Sequence, residues 1–206
     1  MTRAAVGAVV FDLGGVLIDW DPRRVYRPLF GGDERRVEWF LANVCNSEWN
    51  ARLDAGESFA SCIADLADRF PDWADAIGAY RTRWTEMIGG RVPGTAAIVE
   101  RLEAQGVALF ALSNWSLETF PLVHDDYPEL GRFQRIFLSG AIGVAKPDRR
   151  IFEFAFDAIG LPAEQLVFID DNAANITAAK ALRMQAIAFT SAVRLEADLK
   201  ALGVLA

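Results

Sequence analysis

The chain has 206 residues, 52% of them hydrophobic, enough for one medium domain or a core with a smaller insert. A formal net charge of −7 argues against a nucleic-acid or anionic-membrane binder, and means that an anionic substrate must meet a local reversal of charge. Cys45 and Cys62 form no close-spaced metal or redox motif and sit in apolar helical stretches; they read as buried free thiols in a reducing, cytoplasmic compartment.

The apolar run from Ala4 to Phe11 is short, stops at Asp12 and has no convincing cleavage region. It reads as a strand over residues 5–11 rather than a signal peptide. No apolar stretch is long enough to span a membrane. The strand ends in one carboxylate and breaks into Gly14-Gly15, where backbone can approach a ligand closely.

From about Asp21 to Ile88 the texture is helical. Asp21-Pro22 is a helix start, with Asp as N-cap and Pro just inside. Asp33, Ser47, Ser58 and Asp72 are further candidate N-caps. Phe59, Cys62, Ile63, Leu66 and Phe70 share one helical face. The segment shows no strand pattern and holds five of the six tryptophans (Trp20, Trp39, Trp49, Trp73 and Trp84), which predicts an all-helical insert with an aromatic core.

After Gly89-Gly90, strands and helices alternate. A helix opens at Pro93-Gly94-Thr95 and ends at Gly106, a C′ glycine. Val107–Leu112 reads as a strand, Ser116–Asp126 as a helix bent at Pro121, and Arg135–Leu138 as a short strand. A helix over Asp148–Ile159 is closed by Gly160. Leu166–Ile169 is a strand, Asn172–Leu182 a helix, Ala186–Phe189 a strand, and a last helix starts near Ser191. This alternation predicts an α/β fold, a three-layer Rossmann-like core with a parallel sheet covered on both faces. The core comprises residues 1–18 and 89–206, and the helical insert residues 19–88.

Open α/β sheets place their chemistry at the carboxyl ends of the strands. Asp12 stands at such an end, as do Ser113-Asn114 and Asp170-Asp171. A lone Asp there caps a turn more often than it reacts. Two adjacent carboxylates repel each other, however, and a hard divalent cation such as Mg²⁺ is the natural compensation. Ser113-Asn114 before a helix makes an anion cradle. Pro147 holds Lys146 extended, and the helix starting near Asp148 fixes its base, so that its ammonium can neutralise a phosphate.

In that order, Phe11-Asp12-Leu13-Gly14-Gly15-Val16-Leu17, Leu112-Ser113-Asn114, Ala145-Lys146-Pro147-Asp148 and Phe168-Ile169-Asp170-Asp171 with Asn175 resemble the haloacid dehalogenase-like superfamily, most of whose members are phosphatases. The pattern is closest to its bacterial sugar-1-phosphate phosphatase group, and residues 19–88 resemble that family's α-helical cap. The resemblance implies hydrolysis of a small phosphorylated metabolite, a sugar phosphate foremost; the chain is expected to be a monomer or homodimer, and its charge points to neither nucleic acid nor membrane as partner. The resemblance further implies Asp12 as nucleophile, forming an aspartyl phosphate. Mg²⁺ would be held by Asp12, the Gly14 carbonyl, Asp171 and, directly or through water, Asp170. Ser113 and the Asn114 amide would hold phosphoryl oxygens, and Lys146 would offset charge on Asp12 and phosphate.

The chain departs from the family pattern at Gly14, where most of its phosphatases carry an acid that protonates the leaving alcohol. Such a group contributes about 10²–10⁴-fold in rate. Three alternatives follow: an acid from the hinge, with Asp19 and Asp21 close in sequence; a substrate with a good leaving group; or a catalytically weak phosphate binder. A 2-haloacid dehalogenase-type hydrolase is a further alternative, disfavoured by Asp170-Asp171. His124 matches no family position, and Arg23, Arg24 and Arg27 read as a solvated helix face.

Overall fold

The computed structural model describes residues 5–206; residues 1–4, assigned above to the core and including the start of the apolar run at Ala4, lie outside them. The first strand, β1 (Ala8–Phe11), is shorter than the predicted 5–11 and buried throughout. A second, three-residue strand, β2 (Ile18–Trp20), follows the glycine turn. Five helices come next: α1 (Arg23–Leu29), α2 (Glu34–Asn43), α3 (Ser47–Asp54), α4 (Phe59–Arg69) and α5 (Ala74–Thr82). The chain returns through β3 (Ile88–Arg91). It then runs through α6 (Thr95–Ala104), β4 (Ala108–Ser113), β5 (Arg135–Leu138), the one-turn α7 (Ser139–Ile142), α8 (Arg149–Ile159), β6 (Leu166–Asp170), α9 (Ala173–Ala181), β7 (Gln185–Ala188) and α10 (Ala192–Ala201).

The main sheet has the order β5-β4-β1-β6-β7, and every pairing is parallel. Side chains alternate across it. Val9 and Phe11 pack in one layer with Val99 and Leu102 of α6 and Leu195 and Leu199 of α10. Ala8 and Val10 pack in the other with Ile151 and Phe152 of α8 and Ile176 and Ala179 of α9. Burial on both faces is why these strands read as continuous apolar runs. The register pairs Phe11 with Ala111 on one side and Ile169 on the other, so Asp12, Ser113 and Asp170 emerge at the same edge. Strand order reverses at β1, which opens a crevice beyond its carboxyl end.

Several local expectations hold. Asp33 and Ser58 accept from the Arg36 and Ser61 amides as N-caps. Gly106 and Gly160 adopt left-handed backbone after α6 and α8, and Cys45 and Cys62 are buried and free.

Others are corrected. The start of α1 is shifted by one residue from the expected one: Pro22 is the N-cap and Arg23 the first helical residue, while Asp21 Oδ1 accepts from the Arg23 amide just outside the helix. Asn46, not Ser47, caps α3, accepting from the Trp49 amide at 2.8 Å. Asp72 lies inside a 3₁₀ turn, Pro71–Trp73, and caps nothing with its side chain. Ser116–Asp126 is a run of bends and 3₁₀ turns rather than a helix. Pro121 removes an amide in its first half, and the turns close by three-residue hydrogen bonds, from the Leu122 amide to Thr119, Val123 to Phe120 and Asp126 to Val123. The helical segment is not free of strands at its borders: β2 and β3 pair antiparallel, with a bulge between Asp19 and Trp20. Gly89-Gly90 hid this strand, because strand patterns rest on side chains that glycine lacks.

The aromatic residues of the helical segment pack on one another, within a hydrophobic core that is continuous with one face of the sheet rather than separate from it. Tyr26 and Phe40 have ring centroids 4.7 Å apart, Phe40 and Trp73 5.2 Å, and Trp49 stands edge-on to Tyr80 at 4.9 Å. The Trp49 indole donates to the Cys62 carbonyl at 3.0 Å, so its buried polar atom is satisfied. Trp39 is half exposed and stacks on Trp73. Trp20 and Trp84 stand apart from these rings and face a cavity. No described helix is long and apolar enough to cross a membrane.

Candidate active site

The site is assembled at the carboxyl edge of β1, β4 and β6. Asp12 follows β1 and is nearly buried. Its Oδ1 accepts from the Leu13 amide at 2.7 Å and forms an ion pair with Lys146 Nζ at 2.9 Å. The turn after it closes on the Leu13 carbonyl, which accepts from the Leu17 and Ile18 amides. Gly15 is obligatory in this turn. Its φ is +71°, and a Cβ there would stand 2.2 Å from Asp171 Oδ2. The glycine thus allows the first motif to lie against the last.

The Lys146 side chain is completely enclosed, and its ammonium has three partners. It donates to the Leu112 carbonyl at 2.8 Å and to Asp170 Oδ2 at 2.7 Å, besides pairing with Asp12. Burial opposes its charge, but Asp12 and Asp170 more than offset this and hold its pKa above the ordinary lysine value. Asn114 fixes the backbone that carries it: its Oδ1 accepts from the Lys146 amide at 2.8 Å and its Nδ2 donates to the Lys146 carbonyl at 2.9 Å. The Asn114 side chain is therefore spent on Lys146. Ser113 is buried at the end of β4 and borders the cavity.

The adjacent pair divides its labour. Asp170 is inaccessible and saturated: besides Lys146 it accepts from the Asn172 amide at 2.7 Å and from Asn175 Nδ2 at 3.0–3.1 Å on both oxygens. Asp171 stays open to the cavity. Carboxylate oxygens of Asp12, Asp170 and Asp171 lie within 4.8 Å of one another. Burial, and then the Asp170 and Asp171 charges, push the Asp12 carboxyl up to about 8 against the pull of Lys146. Burial and the Asp170 charge likewise raise Asp171. Three carboxyl groups face one ammonium, a donor set that fits a hard divalent cation. Since Asp170 is already saturated, Asp12 and Asp171 are the better placed ligands.

Above this floor lies a cavity of about 240 Å³. Asp12, Gly14, Ser113, Asn114 and Asp171 line its base, and Trp20, Leu53, Phe59, Trp84 and Trp115 form apolar walls. Trp84, just before β3, meets Trp115 of the core with ring centroids 5.7 Å apart. Asn50 and Asp54 of α3 add the polar groups of the roof. Asp54 was not singled out in the sequence; its one signal there is the Asn50–Asp54 spacing of four at a helix C-terminus, an unremarkable pattern until the helix is placed.

All seven sequence-predicted site residues converge: Asp12, Gly14, Ser113, Asn114 and Asp171 on the cavity, Lys146 and Asp170 beneath it. The hinge acids do not join them. Asp19 pairs with Arg24 at 2.5 Å, and Arg24 also donates to the Met87 carbonyl. Asp21 accepts from the Arg23 amide and pairs with its guanidinium. Neither borders the cavity. Arg23 and Arg27 are tied to Glu38 and Glu34. His124 lies on an exposed turn beside Asp125.

The match to the haloacid dehalogenase-like hydrolase family extends over residues 6–183, and the chain belongs to that family. It is 27% identical over 187 residues to a sesquiterpene phosphatase from Aspergillus oryzae, covering 90% of this chain and 91% of that protein. It is 35% identical over 189 residues to a drimenol cyclase from Aspergillus calidoustus, spanning 89% of this chain but 34% of that longer protein. Among solved structures it is similar to a family enzyme from Bacteroides thetaiotaomicron in a magnesium complex, with a TM-score of 0.68, 19% identity, and coverage of 91% and 95%. At that identity the likeness speaks for the fold.

Proposed function

We propose that the chain is a Mg²⁺-dependent phosphomonoester hydrolase that acts on a small phosphorylated metabolite through an aspartyl phosphate. The observation that carries this reading is the buried Asp12, held by Lys146 at the floor of the cavity with Asp171 open beside it. Asp12 Oδ2, which is free of the Lys146 and Leu13 contacts, attacks phosphorus in line. Ser113 and the Asn114 amide hold phosphoryl oxygens, and Lys146 keeps Asp12 oriented and stabilises its charge. A magnesium ion at Asp12, Asp171 and the Gly14 carbonyl, with Asp170 behind, would supply the positive charge that offsets the carboxylates and the transferring group. Water then hydrolyses the acyl phosphate. Residues 19–88 act as the cap that closes the site.

The leaving group sits among Trp20, Leu53, Phe59, Trp84 and Trp115. A sugar phosphate is the reading from the motifs. The apolar wall favours a second one, an isoprenoid phosphate, in keeping with the sesquiterpene phosphatase relative. The Asp170-Asp171 pair, by contrast, speaks against a haloacid carboxylate as substrate.

The test is phosphate release from sugar-1-phosphates, farnesyl phosphate and a nitrophenyl ester, with Mg²⁺ or EDTA, using wild type and Asp12→Asn. Mg²⁺-dependent release that is lost in the variant is expected. Metal-independent chloride release from 2-chloropropionate, without phosphate release, would replace the proposal by the dehalogenase alternative.

A further inference from the structure

The missing acid at Gly14 leaves the departing alkoxide without a proton source on the floor of the site, and the roof carries one. Asp54 is the last residue of α3 and borders the same cavity as Asp12. Asn50, one turn earlier, donates through Nδ2 to Asp54 Oδ2 at 2.9 Å, and the Tyr80 hydroxyl donates to Asn50 Oδ1 at 2.6 Å. This chain fixes which face of the Asn50 amide meets Asp54. It leaves Asp54 Oδ1 with no hydrogen bond from the described residues. Asp54 also pairs with no described cation, unlike Asp19 and Asp21.

Its surroundings favour the protonated form. Leu53 and Phe59 flank it on the wall, and the C-terminal end of a helix disfavours negative charge. Of the groups facing it, Lys146 pulls towards the carboxylate, while Asp12 and Asp171 lie across the cavity and Tyr80 behind. The neighbouring α7 has no ionisable side chain, and Asp65 of α4 is occupied with Arg52 at 2.8 Å. Burial outweighs Lys146 and the Asn50 hydrogen bond and raises the Asp54 carboxyl to about 7.

We propose that Asp54 is the general acid of the reaction, delivering from the helical roof the proton that Gly14 cannot; this rests on the phosphomonoesterase reading above. In the first step the bond from Asp12 to phosphorus forms and the bond from phosphorus to the ester oxygen breaks. The leaving oxygen keeps that electron pair and takes the Asp54 proton, departing as the alcohol. The Asp54 carboxylate then receives a proton from the water that hydrolyses the aspartyl phosphate, which restores Asp12 and releases inorganic phosphate.

The experiment compares first-turnover rates under excess Mg²⁺-loaded enzyme for an alkyl phosphate, whose alkoxide needs a proton, and nitrophenyl phosphate, whose phenolate does not. Asp54→Asn is expected to slow the alkyl ester by about 10²-fold or more and the nitrophenyl ester by less than about 3-fold. In wild type, which needs no variant to fold, the alkyl-to-nitrophenyl rate ratio is expected to fall above about pH 7. Equal slowing of both esters, or a pH-independent ratio, overturns the role of Asp54. A wild type that releases phosphate from neither ester overturns the phosphomonoesterase reading itself.

Discussion

The Asn114 side chain holds the Lys146 backbone on both sides, accepting from its N–H at 2.8 Å and donating to its C=O at 2.9 Å. Two segments distant in sequence are thereby locked in one plane, and the lysine ammonium is aimed at Asp12 from a fixed base. Asn114→Ala removes both bonds and leaves a half-buried backbone amide and carbonyl without partners. Displacements near 1 Å cost about 10²-fold in positioned reactions. The expected result is a fall of about 10–100-fold in kcat with KM little changed, measured by steady-state phosphate release. A change confined to KM would assign Asn114 to substrate binding instead.

Gly15 predicts a second effect. A methyl group at this position meets Asp171 and strains a left-handed backbone at once. Gly15→Ala should push Asp171 away from Asp12 and raise the Mg²⁺ concentration for half-maximal activity by about tenfold or more, a direct consequence of a ligand held off the ion. Metal titration of activity and of protein fluorescence reads this out.

Gly14 behaves in the opposite way. Nothing lies within 4 Å of a Cβ built there, and its backbone needs no left-handed conformation. Gly14→Asp should therefore be accommodated and place an acid on the floor of the cavity. In the Asp54→Asn background it is expected to restore at least about tenfold of the lost alkyl phosphate rate. Failure to rescue in a folded double variant would mean that the floor position cannot reach the leaving oxygen.

Asp12 makes the apo site costly, and the sign follows from its titration. Its carboxyl is raised to about 8 in the fold, against 3.8 when unperturbed. Between these values the unfolded chain has released a proton that the native chain retains, so stability falls as pH rises through this window and levels off above it. Asp12→Asn removes the penalty. In EDTA at pH 8 the variant should be more stable than the wild type, and the gap should close towards pH 4. Calorimetry across pH measures it, and an unchanged gap at low pH would trace the stabilisation to packing.

Most of the sheet was legible because its strands are buried on both faces and end on polar residues; β1, β4 and β6 each pass from apolar run to site residue within one position. The motif residues were legible for the same reason. What stayed hidden depends on distance in space. In the β2–β3 ribbon, β3 has two glycines in four residues and no side-chain pattern to read. The bends after Ser116 carry helix-compatible residues and obey tertiary packing around Trp115 and Phe120 instead. Asp54 resembles any acid near a helix end until α3 is laid over β1. Trp20 and Trp84 could not be told from the core tryptophans, because the same side chain serves to fill an interior and to face a ligand.

The pairing of β2 with β3 has a mechanical consequence. The chain leaves the parallel sheet and returns to it through two strands that are hydrogen-bonded to each other, and the Asp19–Arg24–Met87 brace ties the first helix to the same place. The two connections cannot lengthen or twist independently. The closure proposed for residues 19–88 would therefore turn about this ribbon, like a door on two aligned pins. On that reading Asp54 and Asp12 would part and meet along a single arc, and entry of substrate and alignment of the two carboxyl groups would be one motion.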